Sequence, residues 1–154
     1  MAGFESARGD WERAFAAVPD AALTYLKPGD DYSLGGMQVH VVWVLRHYTR
    51  VLDQMRLADP PGEKQAMNEL ARNGITVNLR RELEAEMASL HDRAVELARG
   101  LSDEQLEDKT PVDYEDGNAP YPTSPADVIG WLRDHYQEHV DQTSALIQSW
   151  KAQT

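Results

Sequence analysis

Ser124-Pro-Ala-Asp-Val-Ile-Gly-Trp-Leu-Arg-Asp-His-Tyr-Gln-Glu-His-Val-Asp-Gln142 is the stretch whose pattern points most directly to the fold. Ser124 carries the hydroxyl an N-cap needs, Pro125 suits the first helical position, and Asp127 puts an acid in the first turn. Beyond this start, Ile129, Tyr136, Val140, Thr143 and Ile147 recur at helical spacing as one apolar stripe. A half-polar stripe of Val128, Leu132, His135, His139, Gln142 and Leu146 runs beside it, and Arg133, Asp134, Gln137, Asp141, Ser144 and Gln148 face away. The spacing predicts an amphipathic helix to about Trp150, with His135 and His139 one turn apart on the shoulder of its buried face.

Three further segments carry the same periodicity. The first is expected from about Gly9 to Tyr25, with Trp11, Ala14, Phe15 and Val18 on one face and Pro19 and Pro28 interrupting or ending it. The second runs from about Ser33, an N-cap candidate, to Leu57, where Ala58-Asp-Pro-Pro-Gly62 stops it. The third spans about Ile75 to Arg99, with a weaker helical lead-in over Glu63 to Arg72 and a stripe at Leu79, Leu83, Met87, Leu90, Ala94 and Leu97. Gly100 suits the position just past its end, and Ser102-Asp-Glu-Gln105 reads as a capping box opening a short turn. Lys109 to Thr123, rich in proline and acids, reads as a loop or small hairpin. The expected class is all-α, a four-helix bundle with antiparallel helices and long connections, formed by one domain over residues 1–154.

Composition narrows the function. A formal net charge of -11 repels polyanions, and the densest basic pair, Arg80-Arg81, lies among Glu82, Glu84 and Glu86, so nucleic acid is not an expected partner. No stretch approaches the roughly 18 apolar residues of a membrane span, and the N-terminus lacks the apolar core of a signal peptide. Cysteine is absent, which excludes disulfides, thiolate ligands and a cysteine nucleophile; a cytoplasmic location is the expectation.

Two imidazoles at i and i+4 on a helix reach one point in space, and imidazole is the commonest protein ligand for transition ions. No Glu follows His135, so this is not the H-E-x-x-H of zinc proteases. His40 and His47 lie on the second helix at the edge of its apolar face, with Val44 and Val51. They are separated by about 10.5 Å of axial rise, so only one of them fits a shared ion. Spacing alone leaves structural histidines and a metal site both open. Trp43, His47, Trp131 and Gln142 are the expected pocket-lining residues, with core packing the alternative for the two tryptophans. Arg46 and Arg50 are candidates for a substrate carboxylate or for surface ion pairs.

Tyr32-Ser33-Leu-Gly-Gly-Met-Gln-Val-His40, together with His135-Tyr-Gln-Glu-His139 followed by Gln142, resembles the DinB/YfiT-like superfamily of bacterial four-helix-bundle proteins. That family's segments place a His seven residues after an aromatic-Ser pair and end in H-x-x-x-H…Q; its usual Trp is Tyr32 here. The resemblance implies that His40, His135 and His139 ligate a divalent ion, nickel or zinc, and that His47 is a neighbour lining the cleft. It also implies a small-molecule substrate, handled by a metal-dependent hydrolase or by a transferase using a low-molecular-weight thiol, or else a non-catalytic binding module. The catalytic residues are left unassigned. A homodimer is a further expectation, since bundles of long amphipathic helices often pair across a two-fold.

Overall fold

A computed structural model describes residues 1–153. The chain is mostly helical: α1 (Ala2–Ala16), a 3-10 turn (Asp20–Ala22), α2 (Gly36–Gln54), α3 (Glu63–Asn73), α4 (Val77–Arg99), α5 (Asp103–Glu107), and α6 (Pro125–Lys151). Between α5 and α6, β1 (Thr110–Val112) and β2 (Tyr121–Thr123) form an antiparallel hairpin with Thr110 opposite Thr123. No described helix is long and apolar enough to cross a membrane.

Several boundaries differ from the sequence reading, each for a local reason. α1 begins at Ala2 rather than near Gly9, because its buried stripe reaches back through Phe4 and Ala7 to join Trp11 and Phe15. It ends at Ala16, ahead of Pro19, instead of reaching Tyr25. α2 starts three residues after Ser33 and stops at Gln54, where Met55 turns left-handed at φ 51°. The lead-in before α4 is a separate helix, α3, broken off at Gly74, whose φ of 94° suits glycine. Gly100 sits at φ -75° and uses none of that freedom.

The buried face of α4 is rotated from the expected stripe. It contains Arg80, Leu83, Met87, His91, Ala94, Val95 and Ala98, while Leu79, Leu90 and Leu97 are half-buried. Arg80 is admitted because its guanidinium donates to the carbonyls of Val18 (2.7 Å) and Phe15 (2.8 Å). The Phe15 carbonyl belongs to the last turn of α1, where helical partners run out.

Contacts between the long helices give their directions. α2 and α6 run antiparallel, since His40 meets His135 and Tyr48, two turns on, meets Trp131, one turn back. α1 and α4 are also antiparallel: Glu5 reaches His91 while Phe15 reaches Arg80. α2 and α4 run parallel, Gln38 pairing with Leu83 and Asp53 with Arg93. α1 and α6 are parallel too, from Phe4 beside Tyr136 to the groove that Asp10–Ala17 shares with Gln137–Ser144. The antiparallel expectation therefore holds for α2 with α6 and α1 with α4, and is corrected for α2 with α4 and α1 with α6. The long connection through α3 carries the chain back so that α4 can start beside the beginning of α2.

α2 contacts α3, α4 and α6, and α6 contacts α1, α2, α4 and α5. Gln38, 1% exposed, lies within the core and accepts from Trp11 Nε1 at 2.8 Å. α6 opens on the expected Ser124 N-cap, and the first-turn acid completes a capping box: Ser124 Oγ accepts from the Asp127 amide at 3.0 Å, and the Asp127 carboxylate accepts from the Ser124 amide at 2.9 Å.

Candidate metal centre

Where α2 and α6 cross, three imidazoles converge. His135 Nε2 lies 2.9 Å from His40 Nε2 and 3.0 Å from His139 Nε2. One ligand atom from each histidine falls within 4.8 Å of the others, and no carboxylate belongs to the group. The i, i+4 spacing on α6 supplies two of the rings, and the antiparallel crossing of α2 supplies the third.

The surroundings set the orientation of the rings. His139 donates its Nδ1–H to Gln142 Oε1 at 2.7 Å, which leaves the Nε2 lone pair aimed at the other two histidines. His40 is stacked against Tyr32, with ring centroids 4.5 Å apart and planes inclined by 21°. Among the described residues its buried Nδ1 has no hydrogen-bond partner, so the polar engagement of this ring runs through Nε2 into the cluster. Ser33 anchors the start of α2: its Oγ accepts from the Gly36 amide (2.9 Å) and donates to the Ala71 carbonyl (3.0 Å) at the end of α3.

Burial, reinforced by repulsion from His139, pushes His40 down to about 4. Burial, then repulsion from His139 and His40, pushes His135 down to about 2. Both rings are thus neutral near pH 7, the form in which imidazole coordinates a metal. The residues fit a divalent ion on two grounds: three imidazole nitrogens within 4.8 Å of one another, and a buried ring whose polar contact lies on that side. Imidazole suits zinc, nickel, copper and iron.

The other expected site residues divide. Gln142 touches the cluster through His139. Trp131, one turn before His135, packs against Tyr48, while Trp43 is buried in the core beside His47, with ring centroids 5.5 Å apart. His47 does not join the cluster; its Nδ1 lies 2.6 Å from Asp59 Oδ2. Arg46 and Arg50 are both engaged within the chain, Arg46 with Glu86 at 2.6 Å and Arg50 with Glu63 and Asp59 at about 3 Å. Asp59 was legible only as part of a helix stop, and the tyrosines around Trp131 lie partly in the hairpin, where periodicity gives no signal.

A mostly helical chain that brings three histidines from two helices to one point can hold a metal ion. The DinB superfamily model matches residues 4–143, and the chain belongs to that superfamily. No curated protein matches the chain.

Proposed function

We propose that this protein is a metal-dependent member of the DinB superfamily in which His40, His135 and His139 hold nickel or zinc on a four-helix-bundle scaffold. The observation that carries this reading is the convergence of three Nε2 atoms, two pairs of them 2.9 and 3.0 Å apart, in a group without a carboxylate. Three protein ligands is the donor count of catalytic rather than structural zinc sites. When bound, a divalent ion supplies Lewis acidity and a positive charge for an oxygen or sulfur of a small molecule. The chain's own part is to keep the imidazoles neutral by burial, fix the His139 tautomer through Gln142, and hold His40 against Tyr32. In the transferase form of this reading the thiol is a low-molecular-weight co-substrate, because the chain has no cysteine of its own.

Elemental analysis of untagged protein tests the site. About one equivalent of nickel or zinc per chain is expected, falling close to zero in His135→Ala. Metal content unchanged in His135→Ala overturns the assignment. Assays across thiol and ester substrates then separate a transferase or hydrolase from a binding protein that holds metal without turnover.

A further inference from the structure

Two turns beyond His40 on α2, His47 lines an open chamber of about 590 Å3. Tyr48, Tyr114, Tyr121, Trp131 and Lys64 share its walls, and none of the three clustered histidines lines it. Trp131 is its centre. The rings of Tyr48, Tyr114 and Tyr121 stand 5.6, 6.3 and 6.2 Å from it, inclined by 59°, 71° and 52°. Edges and faces of four aromatic rings from α2, α6 and the hairpin therefore border one space.

His47 brings an imidazole with one committed nitrogen to that space. A carboxylate only accepts, so the 2.6 Å contact with Asp59 Oδ2 places a proton on Nδ1, and the neutral ring presents Nε2 as an acceptor. Among the described residues Nε2 makes no hydrogen bond, and it is not sealed from solvent. Asp59 is itself fixed by Arg50 at 3.0 Å, and Arg50 is gripped at two oxygens by Glu63, 3.0 and 3.1 Å away. A histidine oriented by an anchored carboxylate, with its ring lining a pocket, is the arrangement of a general base. The other charged groups facing the chamber are Lys64 from α3 and Asp116 from the hairpin turn.

We propose that this chamber binds a small aryl molecule carrying an ionisable hydroxyl, and that His47 takes the hydroxyl proton. The O–H bond breaks with its electron pair left on oxygen, an Nε2–H bond forms, and the imidazolium is held by Asp59. Lys64 offsets the charge on the aryl oxygen. An aromatic box can also take an organic cation, but the basic nitrogen of His47 beside Lys64 on the wall favours a ligand that gives up a proton and becomes an anion. This site is separate from the histidine cluster and does not rest on metal binding.

p-Nitrophenol is the probe, titrated into the full chain near the probe's own titration midpoint. Bound probe should show a larger phenolate fraction in its visible absorbance than free probe at the same pH, with tryptophan fluorescence quenched. Trp131→Leu should remove most of the quench and weaken binding about tenfold. His47→Gln should bind within a few-fold of the parent yet lose the phenolate excess, and Asp59→Asn, which disturbs the tautomer, should reduce that excess. Thermal melts report whether each variant folds, and the Trp131 wall provides an independent readout if His47→Gln does not. The proposal is overturned by absence of quench, by an equal phenolate excess in His47→Gln, or by tetramethylammonium binding more tightly than p-nitrophenol.

Discussion

His40, near the start of α2, and His47, two turns on, mark the two ends of one stretch of the helix, and they differ in what completes the ring. Among the described residues, His40 is surrounded by imidazoles and an aromatic face, with no carboxylate in reach of its cluster and one buried nitrogen unpartnered. His47 is tied into a chain of alternating charge that runs through Asp59, Arg50 and Glu63 to Arg46 and Glu86. At the first end a cation is what the donors lack; at the second three carboxylates already hold two guanidiniums and the Nδ1–H of His47, whose ring lines a chamber. The same residue type on one helix thus acquires opposite requirements from its neighbours. Those neighbours come from elements distant in sequence.

The ends are also held differently, and the largest predicted effect follows from that. The His40 end is seated by close backbone packing. A Cβ placed on Gly36 would lie 1.6 Å from the Ala71 carbonyl oxygen and 2.7 Å from Ser33 Oγ. Neither the α3 backbone nor the Ser33 bridge can give that much room without parting α2 from α3. Gly36→Ala should therefore cost at least about 3 kcal/mol, the upper range for overpacking, and loosen the histidine cluster. Urea unfolding measures it, and a cost below about 1 kcal/mol, typical of an ordinary mutation, would refute the close seating.

Acid should separate the ends next. His40, held down at about 4 from an ordinary value of 6.5, is neutral in the native state while the unfolded chain binds a proton. Its contribution is fully present above about pH 6.5 and is lost as pH falls toward 4, by about 3 kcal/mol. His135, pushed lower still, extends the loss in the same direction. His91, also lowered chiefly by burial with Glu5 opposing, adds a share of its own. Metal-free protein should therefore lose stability steadily from pH 6.5 to 4, and His40→Ala/His135→Ala should flatten the slope to the part that His91 leaves. An unchanged slope in the double variant would show that the cluster is not held neutral by burial.

Much of this molecule is legible in its sequence, and the failures have physical causes. Ser124, Pro125 and Asp127 announce α6 because capping is local chemistry, and the structure shows both reciprocal bonds. His135 and His139 are readable as neighbours because i, i+4 spacing is geometry internal to one helix. Membership of His40 came through its resemblance to a family motif; spacing on α2 could not choose between His40 and His47. Arg80 and His91 were missed as buried positions because polar residues break an apolar stripe, and only their partners on α1 and α6 make burial tolerable. The parallel pairing of α2 with α4 depends on how α3 carries the chain across, which periodicity does not encode.

The smallest predicted effect bears most directly on the His40 end. Gln142 Oε1 accepts the His139 Nδ1–H at 2.7 Å and is the hydrogen-bond partner that holds this tautomer. Gln142→Leu preserves helix propensity and approximate volume while deleting the acceptor. Without it the His139 ring is free to rotate or to shift its proton to Nε2, either of which withdraws a donor from the cluster. Metal affinity measured by chelator competition should fall by about 10- to 100-fold, the usual cost of losing such a partner. Gln142→Glu should retain affinity, since a carboxylate accepts the same bond. Asp59→Asn should leave it unchanged, because His47 and Asp59 lie outside the cluster. Equal weakening by Gln142→Leu and Asp59→Asn would mean that the two ends of this stretch of α2 act as one site, and the distinction between them would fall.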